Sequence, residues 1–84
     1  MTRASKEQRL TSEGQAIELI RQRRKAKGLS QQQLASKLGV TQARLSEIEN
    51  GRAHLSVERL IALVGLLGLE LVLRETPDKQ IAEW

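Results

Sequence analysis

At 84 residues, with a formal charge of +4 and no cysteine, the chain has room for one small domain, in which folding hides only about 60–65% of the surface the unfolded chain exposes. Disulfide staples and thiolate metal sites are excluded. No apolar run approaches the roughly 20 residues of a membrane helix, and MTRASKEQRL lacks the apolar segment of a signal peptide, so a cytoplasmic protein is predicted.

The charge is uneven. Residues 1–28 hold eight Lys or Arg against three acids, residues 29–52 three against two, and residues 53–84 three against five. A basic front attracts a polyanion through counterion release, whereas an acidic tail is repelled by one. A solvated face with scattered Lys and Arg is the plainer reading of charge alone.

Residues 1–11 have no hydrophobic period and read as a flexible basic arm. From Ser12 a helix is predicted, with Ser12 and Gln15 in capping-box spacing, Ala16, Leu19 and Ile20 inward, and Gly28 just past its end. Three further helices open with one repeated device. Leu29-Ser30 precedes Leu34, Val40-Thr41 precedes Leu45, and Leu55-Ser56 precedes Leu60. In each, a hydroxyl at N-cap accepts from the orphan amides, and the apolar residue before it meets the one at N4 as a hydrophobic staple. Gln33 completes a capping box with Ser30.

The second helix, Gln31 to Leu38, turns Leu34, Ala35 and Leu38 inward, and Gly39 supplies the residue that a tight turn needs. The third, Gln42 to about Asn50, turns Leu45 and Ile48 inward and leaves Gln42, Ala43, Ser46 and Glu47 outside, with Arg44 on the flank. A short buried helix, a glycine turn and a half-buried helix with a small polar outer face form a helix-turn-helix, whose second helix enters the DNA major groove. An ordinary polar helix surface is the alternative for Gln42 and Ser46.

The fourth helix, Val57 to Leu67, places Leu60, Ile61, Leu63, Val64 and Leu67 at core spacing, with Gly65 marking a close helix contact. Beyond Gly68, Leu69, Leu71 and Leu73 alternate with Glu70, Val72 and Arg74, the period of a strand. A lone strand in a helical chain leaves its backbone unpaired, so the same strand of a second copy is the expected partner, giving an antiparallel ribbon and a homodimer. A fifth helix over residues 69–75 is the alternative. Pro77 ends either element, and residues 76–84 read as a flexible acidic tail. The chain is thus divided into an arm (1–11), a DNA-binding and dimerisation domain (12–75) and a tail (76–84), with an all-α fold of four to five helices plus the dimer strand.

The stretch LSQQQLASKLGVTQARLSEIENG resembles the helix-turn-helix of the Cro/C1-type, lambda-repressor-like family, through its SQQQLA, GVTQ and EIENG segments. The short chain, the strand-like LELVLRE and the ending Glu83-Trp84 resemble HipB-type antitoxins, the DNA-binding partners of HipA-type serine/threonine kinase toxins. The resemblance implies that Ser30 and Gln31 contact phosphate, that Gln42 and Ala43 meet bases, and that Arg24 and Glu49 form a salt bridge from the first helix to the end of the third.

The chemistry of the face agrees, since Gln bonds adenine N6 and N7, and Ala offers its methyl to thymine. Thr41, Gln42, Ala43, Ser46 and Glu47 form the candidate base-contacting set, although an acid at Glu47 accepts only from a cytosine amine or holds a neighbouring Arg. Ser30, Gln31, Gln32, Arg44 and Arg52 are the candidate phosphate contacts, flanking that face. Arg21, Arg23, Lys25 and Lys27 read as solvated surface.

Trp84, the single aromatic residue, is a candidate anchor for a pocket on another protein, which the resemblance implies is a HipA-like kinase. The expected function is a dimeric, nucleoid-associated repressor of a palindromic operator that serves as antitoxin; a stand-alone phage-type or metabolic regulator is the alternative. No cofactor or enzymatic activity is expected, because the lone His54 has no cysteine and no clustered acids in a recognisable spacing. A pure protein-interaction module is the remaining class.

Overall fold

Each of the four helices begins at a hydroxyl. In the computed structural model, which describes residues 7–76, Ser12 caps α1 (Glu13–Ala26), Ser30 caps α2 (Gln31–Leu38), Thr41 caps α3 (Gln42–Glu49) and Ser56 caps α4 (Val57–Leu66). Every cap has extended backbone, and its side-chain oxygen accepts the amide three residues on, at 3.2 Å from Gln15, 3.0 Å from Gln33, 3.1 Å from Arg44 and 3.1 Å from Arg59. The capping box of α2 is closed by the Gln33 side chain, which accepts the Ser30 amide at 2.9 Å. At α1 the reciprocal bond is displaced by one residue, with Gln15 Oε1 accepting from the amide of Thr11 at 2.7 Å.

The staple residues Leu29, Val40 and Leu55, with Leu38 and Leu60, pack partly buried against a core of Ile20, Leu34, Ala35, Leu45, Leu63 and Leu67. All four helices contribute to that core or, as with Leu67, cap into it. α3 packs on both α1 and α2, and α2 also packs on α4. Each large aliphatic side chain so buried contributes about 1.5–3 kcal/mol of transfer free energy.

The turn between α2 and α3 is three residues long, Gly39 to Thr41. Gly39 has φ 86°, the left-handed region where a Cβ strains the backbone, and its amide donates to the Ala35 and Ser36 carbonyls at 2.9 and 3.2 Å. That reversal sets the second helix of the pair across the first.

The strand expected at Leu69, Leu71 and Leu73 to pair across a homodimer is not shown: there is no strand among the described residues, and residues 69–76 have no regular structure. Leu69 packs on the core, Leu71 is exposed and Leu73 is 97% exposed. A strand needs a second backbone to complete its ladder, and the single chain offers none. A fifth helix is absent here too, because Gly68 at φ 75° turns the backbone out of α4. One expectation is corrected: Ile61, expected in the core, is exposed on α4, because the inward face is taken by Leu63, Val64 and Leu67. The close helix contact expected at Gly65 is not made within the chain, where a Cβ built there meets nothing within 4 Å.

Candidate nucleic-acid interface

The outer face of α3 starts at its cap. Thr41, Gln42, Ala43, Arg44 and Glu47 are exposed and Ser46 is half-buried, while Leu45, Ile48 and Glu49 point into the protein. Eight residues make barely two turns, so Gln42, Ala43, Ser46 and Glu47 fall on one side by helical spacing. The Thr41 hydroxyl is occupied in capping. Ser46 Oγ accepts the Asn50 side-chain amide at 3.3 Å. Arg44 Nη1 donates to Glu47 Oε1 at 3.2 Å, so the acid on this face already holds a cation one turn back.

Beneath the face lies a buried ionic cluster. Arg24 of α1 donates from Nε to Glu49 Oε2 at 2.8 Å and from Nη2 to Glu49 Oε1 at 3.1 Å, and from Nη1 to the Leu29 carbonyl at 2.8 Å. Gln31 of α2 donates from Nε2 to the same Glu49 Oε1 at 2.9 Å. Arg24 is 8% and Glu49 4% exposed. Paired in two parallel N–H···O bonds, a guanidinium and a carboxylate fix both position and angle. The cluster therefore holds the end of α3, the start of α2 and the loop before it in one frame. Among the described residues, no buried side-chain nitrogen or oxygen lacks a partner.

Ser30 and Gln32 at the N-terminus of α2 are exposed, and Gln31 beside them is half-buried by its bond to Glu49. Beyond α3, Arg52 is exposed in the turn, where its amide donates to the Glu47 carbonyl at 2.8 Å. Ser30, Gln31 and Gln32 open α2, Gln42 and Ala43 open α3, and Arg44 and Arg52 follow along and beyond α3. The N-terminal turns of the two helices present amides that favour anions. Trp84 lies outside the described residues.

Two structural residues carried no sequence signal. Arg23 Nε donates to the Leu67 carbonyl at 3.0 Å, fastening the C-terminus of α4 to α1. Glu13 Oε2 accepts the Leu55 amide at 2.6 Å, and His54 Nδ1 stands 3.5 Å from Glu13 Oε1. The Glu13 carboxyl is held below the ordinary value of 4.5, chiefly by the Leu55 amide, against the opposing effect of desolvation and with lesser contributions from the His54 imidazole. Both links span more than 40 residues of sequence, and nothing local announces them. His54 is fully exposed, and no group of three His, Asp or Glu among the described residues could hold a metal.

A capped helix pair with a glycine turn, a polar outer face on its second helix and a buried Arg–Glu lock behind it defines a DNA-binding helix-turn-helix. The family model for helix-turn-helix proteins (HTH_3) matches residues 20–73, and the chain belongs to this Cro/C1-type family of DNA-binding transcription regulators. It is 37% identical over 65 residues to the ImmF control region 10 kDa protein of Bacillus phage phi105, a match that covers 77% of this chain and 72% of that protein. Among solved structures it resembles HipB in a HipA–HipB–O2–O3 complex (27% identity, TM-score 0.71, 83% of this chain and 99% of that one). It also resembles a HipB variant in complex with an O2 20mer (25% identity, TM-score 0.73, 86% and 100%). No helix among the described residues is long and apolar enough to cross a membrane.

Proposed function

We propose that the protein is a homodimeric repressor that binds a palindromic operator in its own promoter and serves as the antitoxin of a HipA-like serine/threonine kinase. The observation that carries this reading is the likeness to HipB in complexes with DNA and with HipA, which takes in 99–100% of the HipB chains. Two copies of α3, related by a two-fold axis, enter successive major grooves about 34 Å apart. Gln42 and Ala43 meet bases, with Thr41, Ser46 and Glu47 beside them. Ser30, Gln31, Gln32, Arg44 and Arg52 hold phosphates and fix the register. Trp84 anchors the kinase.

The test has two arms. Binding of the full chain to its own upstream sequence and to a scrambled duplex, followed across salt concentrations, reads the repressor half; equal affinity for both duplexes rejects it. Co-purification with the kinase encoded next to it, with and without residues 76–84, reads the antitoxin half. Equal recovery of kinase with the truncated chain rejects Trp84 as the anchor.

A stand-alone phage-type regulator is the second reading, favoured by the identity to the phage phi105 control protein. Absence of a kinase gene beside this one, with operator binding intact, selects it.

A further inference from the structure

α3 carries two charges that work against it as a helix. Arg44 lies in its first turn and Glu47 in its last, whereas the dipole of a helix favours acids at the N-terminus and cations at the C-terminus. Their order is also the weaker one for a pair along a helix, where an acid ahead of the cation is preferred. Yet the two are paired, Arg44 Nη1 donating to Glu47 Oε1 at 3.2 Å with both side chains half exposed, and an exposed pair of this kind contributes little to stability. The stability of α3 therefore does not account for them.

The pair places an acceptor on the outer face. Arg44 takes Oε1 alone, and Glu47 Oε2 accepts from no group among the described residues. Glu47 shares its side of α3 with Gln42, Ala43 and Ser46, none of which carries a charge. A bare carboxylate on that side would be repelled by the phosphates of a duplex, and the guanidinium one turn back offsets its charge.

We infer that Glu47 reads a cytosine in the major groove and that Arg44 is its positioning residue, offsetting the carboxylate and holding it so that Oε2 accepts from the cytosine N4 amine. This deepens the groove-reading role proposed for α3 and rests on it. A carboxylate only accepts, so it needs a donor on the base edge. Guanine and thymine present acceptors there, and adenine sets its N7 acceptor beside its amine, so cytosine is the base that remains. The other N–H groups of Arg44 stay available to the phosphate assigned to it above. From Gln42 to Glu47 the helix rises about 7.5 Å, against about 3.4 Å per base along a strand. For a helix lying along the groove, the cytosine falls about two base pairs from the adenine read by Gln42.

The test is selection from a library of randomised duplexes, followed by sequencing, with the full-length wild type, Glu47→Gln, Arg44→Met, Arg44→Lys and the charge exchange Arg44→Glu, Glu47→Arg. Wild type is expected to prefer cytosine at one position per half-site by about tenfold. Glu47→Gln shifts that preference to adenine, and the charge exchange shifts it to guanine, because Gln pairs with adenine N6 and N7 and Arg with guanine O6 and N7. Thermal unfolding of the exchanged chain is expected at no lower temperature than wild type, since its charges now accord with the helix dipole. Arg44→Met lowers the cytosine preference several-fold beyond any uniform loss of affinity, and Arg44→Lys, which keeps the charge, restores part of it.

An unchanged cytosine preference in Glu47→Gln overturns the reading by Glu47. A preference that survives Arg44→Met, with all sequences weakened alike, makes Arg44 a phosphate contact only and overturns its positioning role. A wild-type half-site without cytosine at that position leaves α3 as the reader and overturns this inference alone, whereas a wild type that enriches no half-site overturns the groove-reading role as well.

Discussion

The side-chain amide of Gln31 donates to Glu49 Oε1 at 2.9 Å, joining the first residue of α2 to the last residue of α3. Glu49 also takes two bonds from Arg24. One carboxylate thus sets the angle between the helix assigned to the phosphates and the helix assigned to the groove.

Removing that carboxylate is expected to cost about 3–5 kcal/mol, the effect of leaving a buried charge without its partner. Glu49→Ala strands Arg24 and frees Gln31, and urea denaturation measures the loss. The double variant Arg24→Met, Glu49→Leu recovers much of it, because the desolvation penalty disappears with both charges. A loss below 1 kcal/mol for Glu49→Ala would place the pair with exposed ion pairs such as Arg74–Glu7, which contribute about 0–1 kcal/mol.

Ser30 has a smaller, separable effect. Its hydroxyl accepts the Gln33 amide, so Ser30→Ala is expected to destabilise the fold by about 1 kcal/mol and Ser30→Gly by only a few tenths. Thermal unfolding of the two variants side by side gives the ratio. Equal losses would mean that the hydroxyl contributes nothing at the cap.

On the outer face, Gln42→Ala is expected to lower discrimination at one base position per half-site by about 1–3 kcal/mol while sparing affinity for random duplex. Arg52→Ala is expected to weaken all sequences alike and to reduce the salt slope by about 1. Titration of cognate and scrambled duplexes across a salt series separates them, and an equal loss on both duplexes for Gln42→Ala would falsify its base-reading role.

Acid acts through Glu13. Its carboxyl is lowered by the Leu55 amide and then by His54, so it is a stronger acid folded than unfolded. The stability it contributes is therefore complete above the unfolded pKa and is lost as pH falls through the lowered folded value. Wild type is expected to be more stable than Glu13→Gln at neutral pH, with the gap closing as pH falls from neutral through the acid range in which carboxylates protonate. Melting temperatures taken across that range check it; a gap that does not change with pH assigns the difference to packing instead.

The local part of this fold was written in the sequence. Hydroxyl caps, staples and glycine stops act within four or five residues, so Ser30-Gln33, Thr41 and Ser56 located three helix starts, and the spacing of Leu34, Leu45, Ile48 and Leu63 marked the inward faces. The outer face of α3 expected from helical spacing and the resemblance to Cro/C1 proteins met on the same residues, Gln42 and Ala43, because that spacing determines which side chains share a side. What only the tertiary structure decided depends on residues far apart in the chain: Gln31 turned to Glu49, Arg23 to the Leu67 carbonyl, Glu13 to the Leu55 amide. Ile61 and Gly65 show the same limit from the other side. Periodicity identifies an apolar residue without saying which of two faces the core will use, and α4 has apolar residues on both. Residues 69–73 have the alternation of a strand, yet a ladder forms only against a second backbone, which a single chain does not supply.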